Sequence, residues 1–90
     1  MLDKILDERG SRYGKFIDVA NATAAIQESL YDHMCLDKLN QLPADQSVAL
    51  DMICHKLARI AVGDNNYVDN WIDIAGYAQL VADRLNGIER

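Results

Sequence analysis

The sequence predicts an all-α fold: a small helical bundle of three long helices plus a short N-terminal helix. Three observations carry that reading. No stretch alternates apolar and polar residues as a half-buried strand would. Apolar residues recur at helical spacing in four separate stretches. The single proline, Pro43, falls at the start of one of these stretches, where a helix tolerates it best.

The first stretch, residues 2–8, places Leu2, Ile5 and Leu6 on one side, and Gly10 is expected to end it. The second, residues 15–31, puts Phe16, Val19, Thr23, Ile26 and Leu30 on one stripe, the seam of a bundle. Residues 32–43 lose the pattern and read as a connection with at most a short helical turn. A third helix is expected over 44–62, opened by Pro43 and by Asp45 in its first turn, with Leu50, Ile53, Leu57 and Ile60 on its core face. GDNN at 63–66 supplies a stop and a new start. A fourth helix over 67–87 is expected to bury Trp71, Ile74, Ala78, Val81 and Leu85. The short link makes this last pair antiparallel.

Composition narrows the function classes. The chain has 90 residues, which suits one domain, read here as spanning 1–90. A chain this short buries a modest share of its surface, so a homo-oligomer is the expected state. Nine Lys and Arg against fourteen Asp and Glu give a net charge of −5, so nucleic acid is not an expected partner. No apolar run approaches the roughly 20 residues of a membrane span, and the acidic start MLDKILDERG does not resemble a signal peptide. A membrane partner is therefore not expected, and the expected location is the cytoplasm. Cys35 and Cys54 are too few for a disulfide framework. Together with His33 and His55 they lack zinc spacing, since Cys54 and His55 are adjacent on a helix and diverge by about 100°.

Eleven Asp against three Glu is unusual for a helical surface, because Asp is the poorer helix former. Asp69, Asp73 and Tyr77 form an i, i+4, i+8 stripe, with Gly76 beside it. On the preceding helix Asp51, His55, Lys56 and Arg59 fill one sector, with His55 a natural partner for Asp51. Lys56 and Arg59 either pair with Asp69 and Asp73 across the antiparallel helices or hold a phosphate or carboxylate. Distance from the turn places Arg59 opposite Asp73. The segment RGSRYGKF (9–16) reads as a Gly-flanked loop that presents Arg12 and Tyr13 to an anionic ligand, or as a helix-to-helix turn with Tyr13 packed on the bundle end.

Three segments, RYGKFIDVA (12–20), ICHKLARIAVGD (53–64) and DNWIDIAGYAQL (69–80), resemble a family of small phage and prophage proteins of unknown function. Its members share a YGD-like start, a K-x-x-R helix and a D-x-W-x-D-x-x-G-Y-A helix, and the likeness spans residues 9–85. Lys15 stands where the family commonly has an acid, with Asp18 nearby. More distantly the pattern is similar to phage nucleotide-modification-associated helical domains and to MazG-like nucleoside triphosphate pyrophosphatases. The latter hold magnesium on two acidic pairs. Here Asp51, His55, Lys56 and Arg59 stand where the first pair would fall, and Asn70 replaces an expected glutamate.

The basic pair Lys56 and Arg59, the Gly-flanked Arg12–Tyr13 loop and the missing acids, together with the resemblance, point to a non-enzymatic protein of the host-cell cytoplasm that binds a nucleotide-like phosphorylated molecule, including sequestration of a host immune signal. The expected ligand residues are Arg12, Tyr13, His55, Lys56, Arg59, Asp69, Asp73 and Tyr77, with no catalytic residue, metal ligand or cofactor. The alternatives are a magnesium-dependent pyrophosphatase using Asp51, Asp69 and Asp73, and an acidic inhibitor of a host defence protein.

Overall fold

The computed structural model describes residues 2–90, and all regular structure among them is helical. Five helices follow in order: α1 (Leu2–Tyr13), α2 (Phe16–Asp32), α3 (Leu36–Gln41), α4 (Ala44–Val62) and α5 (Val68–Leu85). No helix among the described residues is long and apolar enough to cross a membrane. The three long helices and the short N-terminal one are as expected. Two boundaries differ. The connection at 32–43 contains α3, with the Cys35 thiol accepting the Lys38 amide at its start. Helix α1 passes through Gly10 and ends at Tyr13, because nothing crowds Gly10 and the residues after it continue the helical ladder. Arg12 and Tyr13 thus belong to a helical last turn, not to a loop.

Helix α4 lies in the middle of a layer. The α2 end near Tyr31 bonds Asp51, and the α2 start near Phe16 and Val19 lies beside His55 and Arg59, so α2 and α4 run antiparallel. Asp45 near the start of α4 pairs with Arg84 at the end of α5, and Lys56 further along α4 pairs with Asp73 nearer the start of α5, so that pair is antiparallel too. The contacts of α4 with α2 and with α5 dominate the packing. Projected at 100° per residue, Cys54 and Ala58 fall beside Asp51, whereas Ala49 falls beside Lys56, about 140° round at the far edge of the sector that the four ionisable residues span. All four small or slender side chains that α4 turns toward its neighbours are buried: Ala49, Cys54, Lys56 and Ala58. Small residues allow the helices to approach closely.

The core is therefore displaced from the expected seams. Val19 is buried, but Phe16, Leu57, Trp71, Ala78 and Leu85 are exposed, and Leu50, Ile53, Ile60, Ile74 and Val81 are only half-buried. Helices α2 and α5 grip α4 from its two sides, and the large apolar residues remain on the open faces of the layer.

Candidate functional site

The C-terminal end of α1 is fastened onto the α4–α5 turn by two glycines. Gly14 has φ +87°, and a Cβ there would lie 2.7 Å from the Val62 carbonyl oxygen. A Cβ on Gly63 would lie 2.4 Å from the Tyr13 carbonyl carbon and 2.6 Å from the Arg12 carbonyl oxygen. The Asp64 amide donates to that same Arg12 oxygen at 2.8 Å. The partner that these glycines admit is the chain's own backbone.

This docking stacks four side chains. The Arg12 guanidinium lies 4.6 Å from the Tyr67 ring centroid, and the Tyr67 ring meets Tyr13 edge-on at 5.7 Å. The Arg59 guanidinium lies over the Tyr13 ring, 4.1 Å from its centroid. Each such cation–π contact contributes about 0.5–1 kcal/mol at an exposed site and more when dry. The Tyr67 hydroxyl donates to Asp69 at 2.9 Å, and that bond is the chief reason its pKa is pushed up to about 12.

Beside this stack opens a cleft of about 630 Å³ between α1, the start of α2 and α4. Tyr13, Phe16, His55 and Arg59 line it, with Leu6, Arg9 and Lys15 at its walls. Asp7 is the one acid among its lining residues. Among the described residues Arg9, Lys15 and Arg59 form no ion pair, whereas Arg12, Lys56, Arg84 and Arg90 do. Burial, with Arg59 and then Lys56 nearby, holds the His55 imidazole below its ordinary range. Phe16 is 83% exposed, an open aromatic face at the cleft.

The expected site residues separate into two groups. Tyr13, His55 and Arg59 reach the cleft. Of the others, Arg12, Lys56, Asp69 and Asp73 have structural partners. Asp73 pairs with Lys56, Oδ2 to Nζ at 3.0 Å, and not with Arg59. Lys56 enters the α4–α5 contact, where it is 8% exposed, while Arg59 lies further round α4 and turns onto Tyr13. Asp69 holds Tyr67, and Arg12 pairs loosely with Glu8 at 3.8 Å. Tyr77 is half-buried on the Asp73 stripe, and a Cβ on Gly76 would meet open space. Asp51 accepts from the Tyr31 hydroxyl and from Gln27 at 3.3 Å, so its partners are on α2 and not His55. The bond to Asp51 is the main cause that lifts Tyr31 to a pKa of about 12. Among the described residues no group of three or more His, Cys, Asp or Glu side chains is placed to hold a metal ion.

A family model described as a domain of unknown function, DUF6378, matches residues 2–85, nearly the whole length and all five helices. The chain belongs to the DUF6378 family. No curated protein and no solved structure matches it. The matched DUF6378 region contains the whole cleft, including four residues that sequence reasoning did not assign to a site: Arg9, Lys15, Phe16 and, in the neighbouring stack, Tyr67. Phe16 continues the helical seam with Val19, and its periodicity pointed to the core. Arg9 and Lys15 lie in the RGSRYGKF segment, where only Arg12 and Tyr13 stand out, and they join Arg59 at one cleft because α1 packs on α4.

Proposed function

We propose that this protein binds a small phosphorylated ligand carrying an aromatic group, of the nucleotide class, in the cleft between α1, α2 and α4, without hydrolysing it. The observation that carries this reading is a charge inversion. A chain of net charge −5 gathers Arg9, Lys15 and Arg59, each without an ion pair among the described residues, around one cleft with a single acid. Its volume of about 630 Å³ lies in the range usual for small-molecule sites. Arg59, held over the Tyr13 ring, has guanidinium donors for a phosphate, and Phe16 offers a face for a base. The binding-only reading is supported by the acids. Asp51, Asp69 and Asp73 are each engaged by a different protein partner, on α2, at Tyr67 and at Lys56. The phage-like sequence pattern favours a host nucleotide, including an immune signal, as the molecule bound.

Calorimetric titration with mono-, di-, tri- and cyclic nucleotides, the matching nucleosides and inorganic phosphates tests the reading. Nucleotides should bind, and nucleosides and phosphates alone should bind at least tenfold more weakly. Arg59→Gln and Phe16→Ala should each lose at least tenfold in affinity while remaining folded. No heat from any nucleotide with folded protein would refute it. Pyrophosphate release in magnesium that disappears in Asp73→Ala would replace it with the hydrolytic alternative.

A further inference from the structure

The layer of α2, α4 and α5 has two faces of opposite chemistry. One carries α1, the cleft and the Lys56–Asp73 pair. The other is apolar. Leu50, Ile53 and Leu57 of α4 fall on it by helical projection, and Leu50 and Ile53 with Ala78 and Leu85 of α5 border a groove of about 350 Å³. Of the described residues lining this groove, Gln46 is the only polar one and none is charged. Trp71 falls on the same side of α5 and is 53% exposed, and Leu57 and Leu85 are exposed at 39% and 62%.

The whole molecule carries a surplus of surface, to which α1, with no buried residue, also contributes. Its accessible area is 6548 Å², against about 5,300 Å² expected for a compact monomer of 10.1 kDa. Its radius of gyration is 15.0 Å, against about 12 Å for a compact chain of this length. The surplus, about 1,200 Å², exceeds the roughly 800 Å² that one partner contributes to a standard interface.

We infer that a second copy of this chain covers this face, α4 and α5 of one protomer packing on α4 and α5 of the other about a two-fold axis. Charge selects a second copy as the occupant. In a chain of net charge −5, most surfaces brought against themselves would oppose like charges, and an uncharged face does not. A two-fold contact also requires a self-complementary patch, which a groove flanked by Leu57, Trp71 and Leu85 provides. The ligand cleft remains on the outer side of each protomer, so this assembly does not depend on the proposed ligand.

Sedimentation velocity of the full chain, with Trp71 fluorescence over a dilution series, tests the inference. The wild type should sediment at about 20 kDa, twice the 10.1 kDa of one copy. Trp71 is the only tryptophan, and its emission should move to the red and become open to acrylamide as dimers dissociate. Ala78→Glu and Leu85→Glu should each raise the dimer dissociation constant at least 100-fold with helix content unchanged. A wild type that stays at 10.1 kDa at 100 μM would leave the face to a different protein and overturn the inference. So would a dimer that both variants leave intact, or one whose dissociation does not change the Trp71 signal.

Discussion

Gly10 and Gly63 lack side chains with opposite consequences. Nothing lies within 4 Å of a Cβ on Gly10, in the middle of α1, so Gly10→Ala should stabilise the protein by about 0.5–1 kcal/mol in a thermal or urea melt. A Cβ on Gly63 would strike the α1 backbone at 2.4 Å, and backbone yields far less than a side-chain tip. Gly63→Ala should destabilise by about 1–3 kcal/mol and increase amide exchange in α1. His55 gives a pH prediction. Burial first, then Arg59 and Lys56, holds its folded pKa below the ordinary 6.5. The unfolded chain therefore takes up this proton first as pH falls. The contribution of His55 to stability is complete above about pH 6.5 and is lost as pH drops through the folded pKa. NMR titration of the imidazole should give a value below 6.5, and a bound phosphate should raise it.

At the scale of elements, the Lys56–Asp73 pair ties α4 to α5. Removing the carboxylate leaves an ammonium that is 8% exposed without its counter-ion, whereas removing the ammonium leaves a half-exposed carboxylate that water can solvate. Asp73→Ala should therefore cost about 1–3 kcal/mol, and Lys56→Met should be near neutral, as denaturant midpoints would show. The helices were legible in the sequence because 3.6-residue spacing records which side of each helix is apolar. Their depth of burial was not. Leu57, Trp71 and Leu85 fall on apolar stripes, yet in one copy of the chain those stripes face outward, and Ala49, Cys54 and Ala58 make the close contacts instead. Asp73 was correctly read as needing a cation, and the chosen cation was one helical turn off. A count from the turn cannot separate Lys56 from Arg59, which are neighbours on one helix face. Tyr13, His55 and Arg59, which line the cleft, were legible as candidates from charge and glycine spacing. Arg9, Lys15 and Phe16 were not, because their approach to His55 and Arg59 is set by the packing of α1 and α2 on α4, a tertiary event without local periodicity.

At the scale of the whole molecule, three cations without an ion pair among the described residues, Arg9, Lys15 and Arg59, gather at one cleft, and an uncharged groove lies opposite. Attraction of an anion to such a cleft is partly solvent-screened, so affinity should fall as salt rises from 50 to 500 mM, while self-association through the groove should hold or strengthen. The most direct measurement of the central claim is NMR shift mapping of the isotope-labelled protein during titration with a nucleoside triphosphate. Tyr13, Phe16, His55 and Arg59 should shift together in proportion to occupancy, while Leu50, Ala78 and Leu85 remain in place. No perturbation at the cleft, or perturbation centred on Asp69 and Asp73 instead, would contradict the account.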